Sequence, residues 1–360
     1  MAFYFIIFGV LVLFAFIELL GLNKRTCRVL FVLFSLFFFA LSFLRWETGT
    51  DWETYYSSFD SIQDWFTDNG LEPGYALINE FAKLQFDSFT VMLFVCGAIL
   101  FAFQSAAILN LSPLPIMSLL FLWSTQAANV LFVRQWIACA ILFYSVKYIV
   151  SRRFLPFIFL VVLATMFHRT ALIFLFSWWF YKIRWKPWIL YAILLGSIGC
   201  SSFAALLMEH LGTIAGGIVQ YKLEVYMGDS SNTFGQASSL AFTIIKGFAN
   251  KIIIIIFSFI MLRKIEANTP EFRGYLNLYW FGCILYFMTI SISVALVRLS
   301  FPFDILQIVL LPYIIVNLPN KQWKFTGFML VCLYFTLRLF SFLFSSYYES
   351  FVPFKTIFNY

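Results

Sequence analysis

The residues that stand out in this chain are cations in apolar surroundings. Arg45, Arg134, Arg169, Arg298 and Arg338, with Lys246 and Lys251, lie inside long apolar runs or at their ends. A charged side chain at such depth costs about 2.5–3.5 kcal/mol on insertion scales, so it lines a cavity or holds a partner. Arginine suits one kind of partner in particular. Its planar fork binds carboxylate or phosphate oxygens in pairs and keeps its charge at any working pH. As a set these cations point to a shared anion-binding cavity, for which a diphosphate is a natural ligand. The simpler reading of each is that it snorkels outward, or pairs with the acids that follow the second apolar run. His168, beside Arg169, is a candidate general base, because an imidazole titrates near working pH. Among arginines its pKa is expected to fall, leaving it neutral and able to accept a proton. Asp51 is the competing base, or else the buried ion-pair partner of Arg45.

Other chemistries leave no trace. The chain has no Gly-rich phosphate loop, no G-x-S-x-G elbow and no pair of histidines at ligand spacing. With His168 and His210 alone, a His-rich zinc site is not expected. Asp51 and Glu53, two apart in an acidic stretch, read as solvated rather than as metal ligands. No metal and no cofactor is expected. The six cysteines (27, 96, 139, 200, 283, 332) sit in or beside apolar runs without metal-type spacing. They read as small core residues.

The elements that must position these residues follow from composition. Of 360 residues, 62% are apolar, 11% are charged and 49 are Phe, against about 45–50% apolar and about 25% charged in a soluble domain. That excludes a water-soluble globule, a disordered chain and a disulfide scaffold. Apolar runs near 20 residues recur from end to end, so the expected architecture is an all-α, polytopic membrane bundle, read as one domain over 1–360. We expect twelve membrane segments, at 3–22, 28–45, 88–110, 113–131, 133–150, 154–167, 170–181, 187–208, 240–262, 274–297, 302–318 and 324–346. More than half of the 24 basic residues fall in short gaps between them, at 24–28, 147–153, 182–186, 263–273 and 321–324. If these gaps face the cytoplasm, every cluster obeys the positive-inside rule and both termini lie outside. The net charge of +7 is therefore a topology signal, not a nucleic-acid face. The segment 154–181 is read as a pair of short or re-entrant helices turning at His168-Arg169, because one long helix would reverse the later clusters. The N-terminus lacks the basic flank of a secretory signal, so the first helix is expected to remain.

Two loops then face outward. Residues 46–87 carry more than half of the 17 acidic residues, and Trp52, Tyr55, Tyr56 and Phe59 recur at helical spacing, as in amphipathic surface helices. Residues 209–239, rich in Gly, Ser and Asn, are expected to be mobile. No internal repeat is visible.

The run Arg45-Trp46-Glu47-Thr48-Gly49-Thr50-Asp51-Trp52-Glu53-Thr54-Tyr55-Tyr56 resembles the R-x-x-x-G-x-D-W-x-x-Y signature of the EpsG family, among the Wzy-type polysaccharide polymerases. Val133–Ala138, Phe167–Leu172 and Arg298–Phe303 resemble further pieces of that family, in order. Arg169 departs from the small residue expected after the His. The resemblance implies a glycosyltransferase-C-like bundle in the bacterial inner membrane that polymerises undecaprenyl-diphosphate-linked oligosaccharides on its outer side. Such a protein would make O-antigen, capsule or exopolysaccharide. It implies a lipid-linked donor and acceptor as partners, membrane lipid around them, a chain-length-regulating membrane protein as a further option, and no nucleic acid. In that chemistry Arg134 and Arg298 would hold the diphosphate with Arg45 assisting, and His168 or Asp51 would act as base. Tyr55, Arg169, Asp304 and Arg338 would complete the binding set, with Asp304 approaching Arg298 across the Pro302 turn. A flippase for the same lipid-linked sugars would want buried charge at mid-membrane and two similar halves. A transferase decorating surface glycans would need a nucleophile–base pair or a metal site.

Overall fold

The computed structural model describes residues 1–66, 70–200, 203, 210, 240–262, 269–290, 294–345 and 347–359. The expected loop at 209–239 lies outside them, save His210. Of the described residues 80% are helical, and among them there is no strand, only one isolated bridge between Arg45 and Thr356. Helices satisfy their own backbone groups, which an apolar chain in lipid must do. Five described helical runs are long and apolar enough to cross a membrane: Ala2–Gly21, Lys24–Leu44, Phe89–Leu111, Arg298–Val316 and Lys321–Leu343. This is a multi-pass membrane protein. The chain forms two compact units, Met1–Leu175 with Ile308–Tyr360, and Phe176–Gln307.

In the first unit the helices are α1 (Ala2–Gly21), α2 (Lys24–Leu44), α3 (Trp52–Ser61), α4 (Pro73–Phe86), α5 (Phe89–Leu111), α6 (Pro115–Gln126), α7 (Arg134–Val150) and α8 (Phe154–Thr165). α1 packs on α6, and α5 lies against both α2 and α7. Two buried polar clusters mark opposite ends of these helices. At one end Glu18 accepts from Cys27 Sγ at 2.8 Å, Ile116 N at 3.1 Å and Met117 N at 2.9 Å. A carboxylate from α1 thus caps the N-terminus of α6, where orphan amides and the helix dipole favour an anion. At the other end Tyr4 Oη donates to Phe351 O at 2.8 Å, and Trp123 Nε1 donates to Tyr4 O at 3.0 Å.

The expected span at 113–131 stops early, at Gln126. Ala127, Ala128 and Asn129 all have positive φ (47°, 53° and 66°), each a cost of roughly 1–2 kcal/mol for a side chain with a Cβ. The break is held from α5: Asn129 Nδ2 donates to Gln104 Oε1 at 2.6 Å, and Gln104 Nε2 to Ala128 O at 3.4 Å. The chain after α8 is also broken as expected near His168, continuing as a 3-10 turn over Arg169–Phe176.

In the second unit the helices are α9 (Ser177–Phe180), α10 (Pro187–Gly199), α11 (Leu240–Ala249), α12 (Ile252–Leu262), α13 (Pro270–Thr289), α14 (Val294–Val297) and, after a 3-10 turn at Arg298–Ser300, α15 (Phe301–Asp304). The expected span at 240–262 is two helices interrupted at Asn250-Lys251. α10 packs on α13, and Asn277 donates to Ile183 O at 2.6 Å. Two helices of the first unit follow, α16 (Gln307–Val316), which begins at the boundary residue, and α17 (Lys321–Leu343).

Candidate functional site

The site is built where α2 ends and α7 begins. Arg45, just past α2, is 1% exposed. Its Nε donates to Ser42 O at 3.2 Å, and its Nη1 to Thr48 O at 2.7 Å and Leu131 O at 2.9 Å. The four-residue spacing to Gly49 has a physical cause. Gly49 has φ +114°, and a Cβ there would lie 2.8 Å from Arg45 Nη1 and 2.9 Å from Leu131 O. The C-terminal segment closes over the same loop: Trp46 N donates to Lys355 O at 3.0 Å, Ile357 N to Leu44 O at 2.9 Å and Gly49 N to Ser350 O at 2.8 Å. Lys355 also pairs with Glu47 at 2.8 Å. Arg45 therefore rivets the α2 exit to the break before α7.

Of the two roles considered for Asp51, the ion pair with Arg45 gives way to these carbonyl contacts. Asp51 instead accepts from Thr50 Oγ1 at 3.3 Å and from Tyr55 Oη at 3.4 Å. Burial first, and the Asp51 charge second, push the Tyr55 phenol from its ordinary 10.0 up to about 12. It remains a neutral donor at any working pH.

Arg134 is the first residue of α7. Its Nη1 meets Glu72 Oε2 at 3.2 Å, with side-chain exposures of 28% for Arg134 and 11% for Glu72. The guanidinium sits over the rings of Tyr55 at 5.9 Å and Tyr75 at 5.5 Å, cation–π geometry that fixes its position. Glu72 directly precedes α4. The first turn of that helix is anchored where Gly74 N donates to Met166 O at 2.8 Å. A Cβ at Gly74 would come within 2.9 Å of the same oxygen. Met166 is two residues from His168, so this contact ties the His168 turn to the Arg134 cluster. His168 is half-buried, and its Nδ1 lies 2.6 Å from Thr170 Oγ1. Arg169 is exposed. Arg338, on α17, donates to Tyr334 Oη at 3.0 Å, one turn earlier.

The second unit carries Arg298 and Asp304. Arg298 is exposed at the start of its 3-10 turn. The expected approach of Asp304 to Arg298 gives way to a different pair: Asp304 Oδ1 lies 2.5 Å from Lys251 Nζ, and its Oδ2 accepts from Ser300 Oγ at 3.1 Å. Lys251 is 6% exposed and lies over the rings of Tyr286 at 4.8 Å and Tyr279 at 5.6 Å. The turn packs closely on α13, because a Cβ at Gly282 would fall 2.5 Å from Phe303 Cβ.

The structure thus gathers Arg134, Tyr55 and Asp51, tethers His168 to them, and adds two residues the sequence reading passed over, Glu72 and Tyr75. Glu72 was hidden among the many acids of its loop; the following Pro73-Gly74 is the one local sign that it opens a helix. Among the described residues no group of three or more metal-type side chains occurs. A half-buried guanidinium at a helix N-terminus can hold an anion, and an imidazole tethered nearby can move a proton.

Searches of curated proteins and of solved structures returned no match. The family model described as EpsG matches residues 28–356, a range that contains all four sequence motifs. On the strength of that match, the chain belongs to the EpsG family.

Proposed function

We propose that this protein is a Wzy-type polymerase, joining undecaprenyl-diphosphate-linked oligosaccharide repeats on the periplasmic face of a bacterial inner membrane. Family membership supports a polysaccharide polymerase-type role, and the apolar helices support a multi-pass membrane setting. In this reading the Arg45 end of the first unit faces the periplasm. Lys24, Arg25 and Arg28 at the start of α2, and Arg152 and Arg153 after α7, then face the cytoplasm, in keeping with the positive-inside rule.

The observation that carries the proposal is Arg134, half-buried beside the neighbouring rings of Tyr55 and Tyr75 at the N-terminus of α7. The bond from sugar to diphosphate breaks with negative charge growing on the leaving phosphate. A cation placed there stabilises the transition state more than the ground state. In the reaction an acceptor hydroxyl of one lipid-linked unit attacks the anomeric carbon of the other, and undecaprenyl diphosphate leaves. His168 is the proposed acceptor of the hydroxyl proton; its Nδ1 lies 2.6 Å from Thr170 Oγ1 and accepts from Thr170 N at 3.4 Å, so Thr170 fixes the ring. Asp51, already accepting from Thr50 and Tyr55, is the weaker candidate base. Arg45 acts by shaping the loop rather than by touching substrate. Arg298 is proposed as a diphosphate ligand in its own right, with Asp304 accepting from Ser300 in the turn that carries it. Arg169 and Arg338 are proposed as accessory phosphate contacts.

One observation favours the flippase reading. The Lys251–Asp304 pair sits buried at a broken helix, as charge does in many transporters. A reconstitution separates the two. Purified protein in vesicles with a lipid-linked repeat unit should release undecaprenyl diphosphate and lengthen the glycan. Transbilayer movement without chain growth would favour the flippase.

A further inference from the structure

The Arg134 cluster contains a carboxylate that the polymerase reading leaves without a task. We propose that Glu72 is a displaceable counter-ion: it neutralises Arg134 in the empty protein and yields it to the diphosphate of the incoming donor. The proposal rests on the polymerase reading of Arg134.

Four features of the geometry support it. The contact is single, Oε2 to Nη1 at 3.2 Å, longer than the 2.7–2.9 Å or so of a strong charge-assisted bond. Glu72 is not the sole contact that positions Arg134, since the adjacent Tyr55 and Tyr75 rings also lie against the guanidinium. Glu72 makes no side-chain cap to α4, and that helix is anchored at Gly74 N by Met166 O. The carboxylate can therefore swing away by side-chain rotation, with the backbone held. Finally, the carboxylate is the more buried partner, so the guanidinium presents its open side to an arriving anion.

A negative group beside the phosphate site weakens ground-state binding by repulsion. It also reclaims Arg134 once undecaprenyl diphosphate has been released from the sugar. Glu72 would then act in both steps through Arg134, as a positioning residue that sets donor affinity and product release.

The test is binding of undecaprenyl diphosphate to the purified full chain, with melting temperature recorded for every variant. Glu72→Gln and Glu72→Ala should bind the probe about tenfold more tightly than wild type, Glu72→Asp should match wild type, and Arg134→Ala should bind more weakly. In turnover the Gln variant should show a lower donor KM without a higher kcat. If folded Gln and Ala variants bind equally or more weakly, Glu72 merely holds Arg134 in place and the proposal is overturned. If both fail to fold, Glu72 is a structural anchor and the proposal is likewise overturned. If Arg134→Ala binds as well as wild type, the reading of Arg134 as a phosphate ligand fails instead, whatever the Glu72 variants do.

Discussion

The ion pair of Lys251 and Asp304 gives the sharpest stability prediction. At 2.5 Å, with side chains 7% and 15% exposed, neither charge has water to fall back on. Asp304→Asn keeps an oxygen for Ser300 Oγ but leaves the ammonium buried without its counter-ion. Breaking a buried pair from one side costs about 3–5 kcal/mol. The Tyr279 and Tyr286 rings return part of this, about 0.5–2 kcal/mol for cation–π contacts, so the net loss should be about 2–4 kcal/mol. Lys251→Met strands the carboxylate and should cost about the full 3–5 kcal/mol. The double variant Lys251→Met/Asp304→Asn buries no net charge and should lose less than either single change, because replacing a whole buried pair is often close to neutral. Equilibrium unfolding in mixed micelles, run as a double-mutant cycle, measures the coupling. A coupling energy above about 2 kcal/mol is expected; losses that simply add, within about 0.5 kcal/mol, would refute the reasoning.

Three further outcomes follow from the first unit. Gly49→Ala should destabilise by about 1–3 kcal/mol, since its Cβ meets Arg45 Nη1 and Leu131 O at a φ of +114°; the same unfolding assay reads it. Thr170→Val removes the side-chain partner of His168 Nδ1 while the Thr170 N–H contact stays; it should lower kcat about tenfold with donor KM unchanged, and an unchanged kcat would remove the Thr170 hydroxyl from the mechanism. Tyr55, buried neutral with its pKa raised to about 12, contributes stability that is complete below its ordinary 10.0 and declines as pH rises from there towards 12. Compared with wild type, Tyr55→Phe should therefore lose stability less steeply above pH 10, which an unfolding series against pH will show.

Much of this architecture was readable beforehand, and the failures have physical causes. Apolar runs over Ala2–Gly21, Lys24–Leu44, Phe89–Leu111 and Lys321–Leu343 predict helices because length and hydropathy alone suffice. The early stop of α6 was invisible, since Ala127, Ala128 and Asn129 include no glycine or proline. Their left-handed turn is imposed by Gln104, some two dozen positions away. The spacing of Arg45, Gly49 and Asp51 left an Arg45–Asp51 ion pair as one option, and the guanidinium turns to carbonyls instead. A guanidinium can be satisfied by carbonyls as well as by carboxylates, and sequence lists only the latter. Arg134 stood out because an arginine opening an apolar helix is costly, whereas Glu72 was one acid among many in its loop. Lys251 was noticed as a stray cation, but its partner lies 53 residues on, beyond any local pattern.

The central claim is that Arg134 serves glycan chain growth. It is tested most directly by a gel of surface polysaccharide from cells lacking this gene and complemented with wild type, Arg134→Ala or Arg298→Ala at matched expression. Wild type should restore a ladder of lengths, and the Arg134 variant should leave a single repeat unit. A full ladder from Arg134→Ala, or one that survives the deletion itself, would contradict the account.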